Sequence, residues 1–140
     1  MEVIYEDNHL IAVNKNCHEL VQGDKTGDRT LCDEVKAYIK EKYAKPGAVF
    51  LGIPHRLDRP VSGICVFART SKALTRLNDM FRKSEVKKTY HAIVGNYPKL
   101  PEAELVHYLT RNEKQNKAYA HEKEVAGSKR AVLDYKVIGQ

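Results

Sequence analysis

The sequence predicts an α+β protein: a mixed, largely antiparallel sheet with two flanking helices. Two segments carry apolar residues at helical spacing behind a capping residue, Leu31 to about Tyr43 and Leu74 to Phe81. Several short segments are apolar or alternate with period two, and turn-forming residues separate them. No internal repeat or low-complexity tract interrupts the pattern. At 140 residues the chain predicts one domain, long enough for a core and short for a two-domain enzyme.

Taken in order, Ile4-Tyr5 and Leu10–Val13 flank the turn-forming Glu6-Asp7-Asn8-His9 and predict a β-hairpin. The stretch 14–27 has little periodicity and holds Gly23, Asp24 and Gly27, which makes it a loop. Its Cys17-His18 pair has no second ligand pair at a metal-binding spacing, so no metal is expected. Thr30 is an N-cap with Asp33 in the first turn, and Leu31, Val35, Tyr38 and Ile39 share one face of the helix it opens. That helix stops before Lys45-Pro46-Gly47. Val49–Ile53 predicts a strand leading into the loop Pro54–Gly63, and Ile64–Ala68 a buried strand leaving it. Thr70 or Ser71 caps the second helix, whose stripe is Leu74, Leu77, Met80 and Phe81; Lys72, Arg76, Arg82 and Lys83 lie largely off that stripe. Lys87–Val94 alternates as a strand, with Tyr90, Ala92 and Val94 on one face. Residues 95–101 are a loop and 111–130 a polar, exposed ribbon, not a domain boundary. Leu133, Tyr135 and Val137 alternate in a last strand.

Composition narrows the function classes. A hydrophobic fraction of 42% with mixed charge is that of a soluble globular protein. No stretch reaches the roughly 18 apolar residues of a membrane span, and the first residues carry no secretory signal. Cys17, Cys32 and Cys65 are odd in number and scattered, as in a cytoplasmic protein with reduced thiols. A net charge of +6 fits a polyanionic partner, and its placement says more. Arg56, Arg59 and Arg69 gather around one loop, and Lys72, Arg76, Arg82, Lys83, Lys87 and Lys88 come after them. Trp is absent and aromatics are few, so a stacking platform of the single-strand-binding kind is poorly supported.

That loop is the densest chemical signal in the chain. In Pro54-His55-Arg56-Leu57-Asp58-Arg59-Pro60-Val61-Ser62-Gly63 one carboxylate stands between two arginines, with His55 before it and a Ser-Gly corner after it. Pro54 and Pro60 fix φ and bias the residues before them away from helix, so the loop is ordered. Guanidinium groups beside Asp58 would help keep it ionised. An isolated Arg–Asp pair of this kind usually does no more than pin a loop.

The whole string resembles the catalytic motif of the RluA-type family of RNA pseudouridine synthases, His-Arg-Leu-Asp and then, after two variable residues, Thr-Ser-Gly. Phe67-Ala68-Arg69-Thr70-Ser71-Lys72-Ala73 is similar to the next segment of that family, and Lys88-x-Tyr90-x-Ala92 matches a second family motif. The resemblance runs from Ile4 to the last strand. It departs at Val61, where the family usually has Thr, and at Lys15-Asn16-Cys17-His18, where it usually has Lys-Pro-Ala-Gly. The chain also stops before the family's Gly-Arg-x-His-Gln-Ile-Arg segment and starts without the small N-terminal RNA-binding domain of many relatives. The expectation is the front portion of a catalytic domain, weak or inactive alone and prone to self-associate through the edge of its last strand.

The resemblance implies isomerisation of uridine to pseudouridine in rRNA or tRNA, with Asp58 as the catalytic carboxylate and no cofactor. It implies that Tyr90 stacks on the uracil and that Arg56 occupies the vacated stack. Arg56 or Arg59 could hold a neighbouring phosphate, and His55 would be a hydrogen-bonded scaffold at the substrate site. Two other classes remain open: a catalytically silent RNA-binding module, and an Asp-dependent glycosidic-bond hydrolase, which would need a second carboxylate.

Overall fold

The computed structural model describes residues 1–23, 27–115 and 117–139. Asp24 of the predicted loop lies outside them. The described chain is α+β, as predicted, and every strand pairing in it is antiparallel. It divides into two compact units, Met1–Thr89 and Tyr90–Gln140, each with its own three-stranded sheet in place of one continuous sheet.

In the first unit β1 (Glu2–Glu6) and β2 (Leu10–Lys15) form the hairpin. Its turn is set by Asp7, whose carboxylate accepts from the His9 and Leu10 amides at 2.7 and 2.6 Å; these bonds lower its pKa. β3 (Gly63–Ala68) pairs with β2 from Leu10↔Ala68 to Lys15↔Gly63. Period two then puts Ile11 and Val13 on the face that meets Cys65 and Phe67. Helix α1 (Leu31–Lys42) covers that face with Leu31, Cys32, Val35 and Ile39, and Val21 completes the cluster. Burying each large side chain stabilises the fold by roughly 1.5–3 kcal/mol. A capping box starts α1: Thr30 Oγ1 accepts from the Asp33 amide and the Asp33 carboxylate accepts from the Thr30 amide. The next two free amides, of Leu31 and Cys32, donate to the carbonyls of Leu20 and Val21. This ties segment 20–21 to the helix N-terminus.

The expected strand Val49–Ile53 is reduced to a single bridge, Gly52↔Ala68. Ala68 ends β3, and Pro54 removes an amide two residues beyond Gly52, so the ladder cannot extend. Helix α2 (Ser71–Arg82) starts at Thr70, which accepts from the Ala73 amide, and packs directly over this bridge. A Cβ on Gly52 would lie 2.8 Å from Leu74 Cδ2, so only glycine admits the helix at this distance.

Away from the core, the carboxylate of Glu6 joins three elements. It accepts from Tyr38 (3.0 Å) and Lys42 (2.7 Å) of α1, from Tyr43 at its end (2.6 Å), and from Arg69 after β3 (3.1 Å). Arg69 also lies over the Tyr43 ring at 4.4 Å and donates to the Asp7 carbonyl. Arg69 is therefore taken up here, and not among the arginines of the motif loop as its place in sequence suggested.

The second unit holds β4 (Glu102–Asn112), β5 (Lys117–His121) and β6 (Lys129–Lys136) in the order β5-β4-β6. The polar ribbon is thus the β4–β5 hairpin and the approach to β6. The predicted strand Lys87–Val94 is absent: no described strand pairs with it, and the boundary between the units falls inside it. β6 pairs with β4 along all of its residues, and nothing in the fold supports the self-association expected of the last strand. None of the described residues of this unit is buried.

Burial, the largest single influence on Glu6, opposes ionisation, but the bonds from Lys42, Tyr43 and Tyr38 prevail and bring its pKa down from 4.5 to about 2. A carboxylate whose pKa falls on folding stabilises the fold above its unfolded pKa. That contribution disappears as pH drops from 4.5 toward 2. Glu6→Gln should lower the urea midpoint at pH 7 and flatten the acid loss over that window. Parallel acid curves for parent and variant would contradict the assignment.

Candidate active site

The loop Pro54–Gly63 hangs between the Gly52 bridge and β3. Leu57 turns inward and packs against the core cluster, which leaves its neighbours Arg56 and Asp58 exposed. Both line a cleft of about 160 Å³ whose opposite wall is Leu20, Val21, Gln22 and Gly23. This is small beside the roughly 300–1,000 Å³ of drug-sized ligand pockets. Asp58 stands at the start of a turn closed by the Val61 amide on the Asp58 carbonyl at 3.0 Å, with Arg59 and Pro60 at its corners. At the loop's end Gly63 has φ +138, a conformation that favours glycine, and enters β3 opposite Lys15.

Beneath the turn sits Lys15, with no exposed surface. Its ammonium donates to the carbonyls of Asn16 (3.0 Å), Arg59 (3.2 Å) and Val61 (2.5 Å), so each of its three protons has a partner. Two of those carbonyls belong to the turn that carries Asp58. The His18 amide adds a further bond to the Arg59 carbonyl at 2.8 Å. The turn is therefore fixed through its backbone, and the Asp58 side chain is left open toward the cleft.

Arg59 does not pair with Asp58. Its guanidinium donates to the His18 carbonyl (3.1 Å) and to Asp28 (3.1 Å), so it binds the loop to those two residues. Among the described residues no ion pair involves Asp58. The expected sandwich of one carboxylate between two guanidinium groups is thus not formed. Arg56 shares the cleft with Asp58, while Arg59 braces the wall.

His55 is half-buried. Its Nε2 accepts from the Val66 amide at 3.0 Å, which requires that nitrogen to be unprotonated, and its ring stacks on Phe81 of α2 with centroids 5.0 Å apart. Burial, and then the charge of Lys88, lower its pKa and favour the neutral form this bond needs. Tyr90 opens the second unit and is exposed over 64% of its surface.

Sequence reasoning missed Lys15, Asp28 and the 20–23 wall. Lys15 had a signal: it comes after Ile11 and Val13 at period two and so falls on the buried face of β2. A lysine there must find three acceptors. Asp28 had none, because its partner lies 31 residues away.

The model of the RNA pseudouridylate synthase family matches residues 9–140. The chain belongs to this family. It is 31% identical to a tRNA pseudouridine synthase C of Vibrio cholerae, over the whole chain and 54% of that relative. It is 36% identical to a ribosomal large subunit pseudouridine synthase C of Vibrio parahaemolyticus, over 66% of the chain and 27% of that relative. Among solved structures, human RNA pseudouridylate synthase domain containing 4 has the same fold: TM-score 0.77 at 20% identity, over 96% of this chain and 52% of that one. The chain spans about half the length, or less, of these relatives. The α+β fold that the motif resemblance implied is the fold of the family.

Removing the Lys15 ammonium would leave buried carbonyls without a donor, at roughly 1–3 kcal/mol. Lys15→Met should destabilise the first unit by about that much in urea denaturation and speed deuterium exchange at the Val61 amide. Unchanged exchange there would mean that the turn does not depend on the ammonium.

Proposed function

We propose that this chain supplies the catalytic carboxylate of an RNA pseudouridine synthase, and that Asp58 is that group. One observation carries the proposal: within a chain of this family, a motif carboxylate is held on a turn immobilised from below and opens onto a small cleft it shares with an arginine.

The reaction breaks the uridine N1–C1′ bond, turns the uracil and rejoins it through C5. Atoms and electrons balance within one nucleotide, so neither a redox partner nor an energy source is needed. A carboxylate can serve by attacking C6 of the base or C1′ of the ribose, or by stabilising a ribose intermediate. Each route requires its oxygen to be placed to within about an ångström, which a rigid turn supplies. The target uridine must be flipped from its stack, at a few kcal/mol. Arg56, exposed at the cleft, fits the role of filling the vacated place or holding the adjacent phosphate. Arg59 serves by bracing the wall through Asp28, and neutral His55 by holding the loop on β3 and α2. Tyr90 offers an exposed ring for the uracil face. The substrate is a structured RNA, tRNA or rRNA, in the cytoplasm; the relatives' names include both kinds.

Asp58→Asn keeps the shape of the side chain and removes its charge. It should abolish pseudouridine formation in the whole protein and leave RNA affinity near normal. Turnover within tenfold of the parent, a barrier change of only about 1.4 kcal/mol, would exclude the carboxylate role. Release of free uracil by the parent would point to hydrolysis instead.

Tyr90→Phe should be far milder than Tyr90→Ala in the same assay, since a ring that stacks contributes roughly 1–3 kcal/mol and Phe keeps its face. Equal loss in both would transfer the role to the hydroxyl.

A further inference from the structure

Much of the chain's positive charge lies on α2 and the six residues after it. From Ser71 to Lys88 six basic residues stand against two acidic ones, a net +4 of the +6 carried by all 140 residues. Lys72 and Arg76 on α2 and Lys83 at its C-cap recur at helical spacing along one face and span roughly 16 Å at 1.5 Å per residue. All three are exposed, as are Lys87 and Lys88 just beyond. The same stripe includes Asp79, but Arg82 already neutralises it at 2.7 Å. Among the described residues no acid pairs with Lys72, Arg76, Lys83, Lys87 or Lys88. This face differs from the cluster at Glu6 and the brace at Arg59, where the guanidinium and ammonium groups are taken up by the protein itself.

The helix is also locked to the motif loop. Its inner face carries Leu74 against Gly52, and Phe81 stacks on His55, three residues before Asp58. The charge of Lys88 reaches His55 as well. The helix that carries Lys72 and Arg76 is therefore fixed against the motif loop.

We propose that this ridge, Lys72, Arg76 and Lys83 continued by Lys87 and Lys88, binds the sugar–phosphate backbone of the RNA beside the nucleotide that enters the Asp58 cleft. Phosphate contacts fix register and orientation without reading sequence. The ridge would hold the RNA in place while the cleft handles one nucleotide. The inference rests on the RNA-modifying function proposed above.

The test is the triple variant Lys72→Ala/Arg76→Ala/Lys83→Ala in the whole protein, assayed on a uridine-containing substrate RNA. Binding is measured across a salt series, and kcat and KM at one salt. Losing three phosphate contacts should reduce the slope of log affinity against log salt by about 2–3. KM should rise at least tenfold, with kcat at saturating RNA unchanged. The charge-preserving variant Lys72→Arg/Arg76→Lys/Lys83→Arg should restore the slope. Lys36→Ala/Lys40→Ala, on the exposed face of α1, should leave it unaltered. An unchanged slope in the triple variant, or an equal reduction in the α1 control, would overturn the ridge while active parent protein upheld the proposed function. A parent that neither binds nor isomerises the RNA would overturn both.

Discussion

The site depends on a buried ammonium. Lys15 has no exposed surface and no acidic partner in its bonding shell, only three backbone carbonyls. A charge in that position is tolerable only when every proton is satisfied, since an unpaired buried ion costs several kcal/mol. The requirement works in both directions. The ammonium needs the carbonyls of Arg59 and Val61 in place, and the turn bearing Asp58 needs a donor that no strand or helix provides. Because Lys15 is the last residue of β2 and pairs with Gly63, the core sheet itself sets the position of the turn. Rigidity passes from packed strands to the turn of the exposed carboxylate through the two hydrogen bonds to Arg59 and Val61.

The second polar centre shows the same economy at the other side of the hairpin. Glu6 collects donors from two tyrosines, a lysine and an arginine, and so joins β1 to the end of α1 and to the corner between β3 and α2. The first unit is thus an apolar cluster with a cation-centred polar lock at the motif loop and an anion-centred one at the hairpin. The second unit has a well-paired sheet and no buried residue among those described. Its strands are held chiefly by backbone pairing, with a Thr110–His121 side-chain bond between β4 and β5, and Leu105 and Leu133, paired across it, stay partly exposed.

Local features of the sequence were legible and distant ones were not. Both helices come from caps and stripes a few residues apart, and the hairpin from Asp7 and its apolar flanks. Val49–Ile53 and Lys87–Val94 have strand-like patterns, but a strand exists only where a partner lies alongside, and neither finds more than one bridge. β4 was overlooked for the converse reason. Its alternating Ala103, Leu105, His107 and Leu109 are diluted by polar residues, and it becomes a strand because β5 and β6 both pair with it. At the site, the loop between the two prolines brings Asp58 and Arg56 to the same cleft. Adjacency in sequence misled for Arg59 and Arg69, because side chains as long as arginine choose partners by the fold, here Asp28 and Glu6.

The pairing of Arg59 with Asp28 and of Arg69 with Glu6 divides the basic residues into two sets. Seen as sequence, the basic residues around the motif form one cloud. In the fold they separate into cations that the protein has already satisfied (Lys15, Lys42, Arg59 and Arg69) and cations that it has not. The first set is structural: its charge is offset at short range and offers little to a ligand. The second set is Arg56 at the cleft together with the ridge on α2, and its members stand exposed where counterions would otherwise gather. Such groups can displace the counterions condensed on a polyanion's phosphates, which favours binding. The net charge of the chain is therefore a poor guide to where a polyanion would bind. The pattern of unsatisfied cations is the better one: Arg56 in the cleft, and the exposed bases of a helix packed on the motif loop through His55.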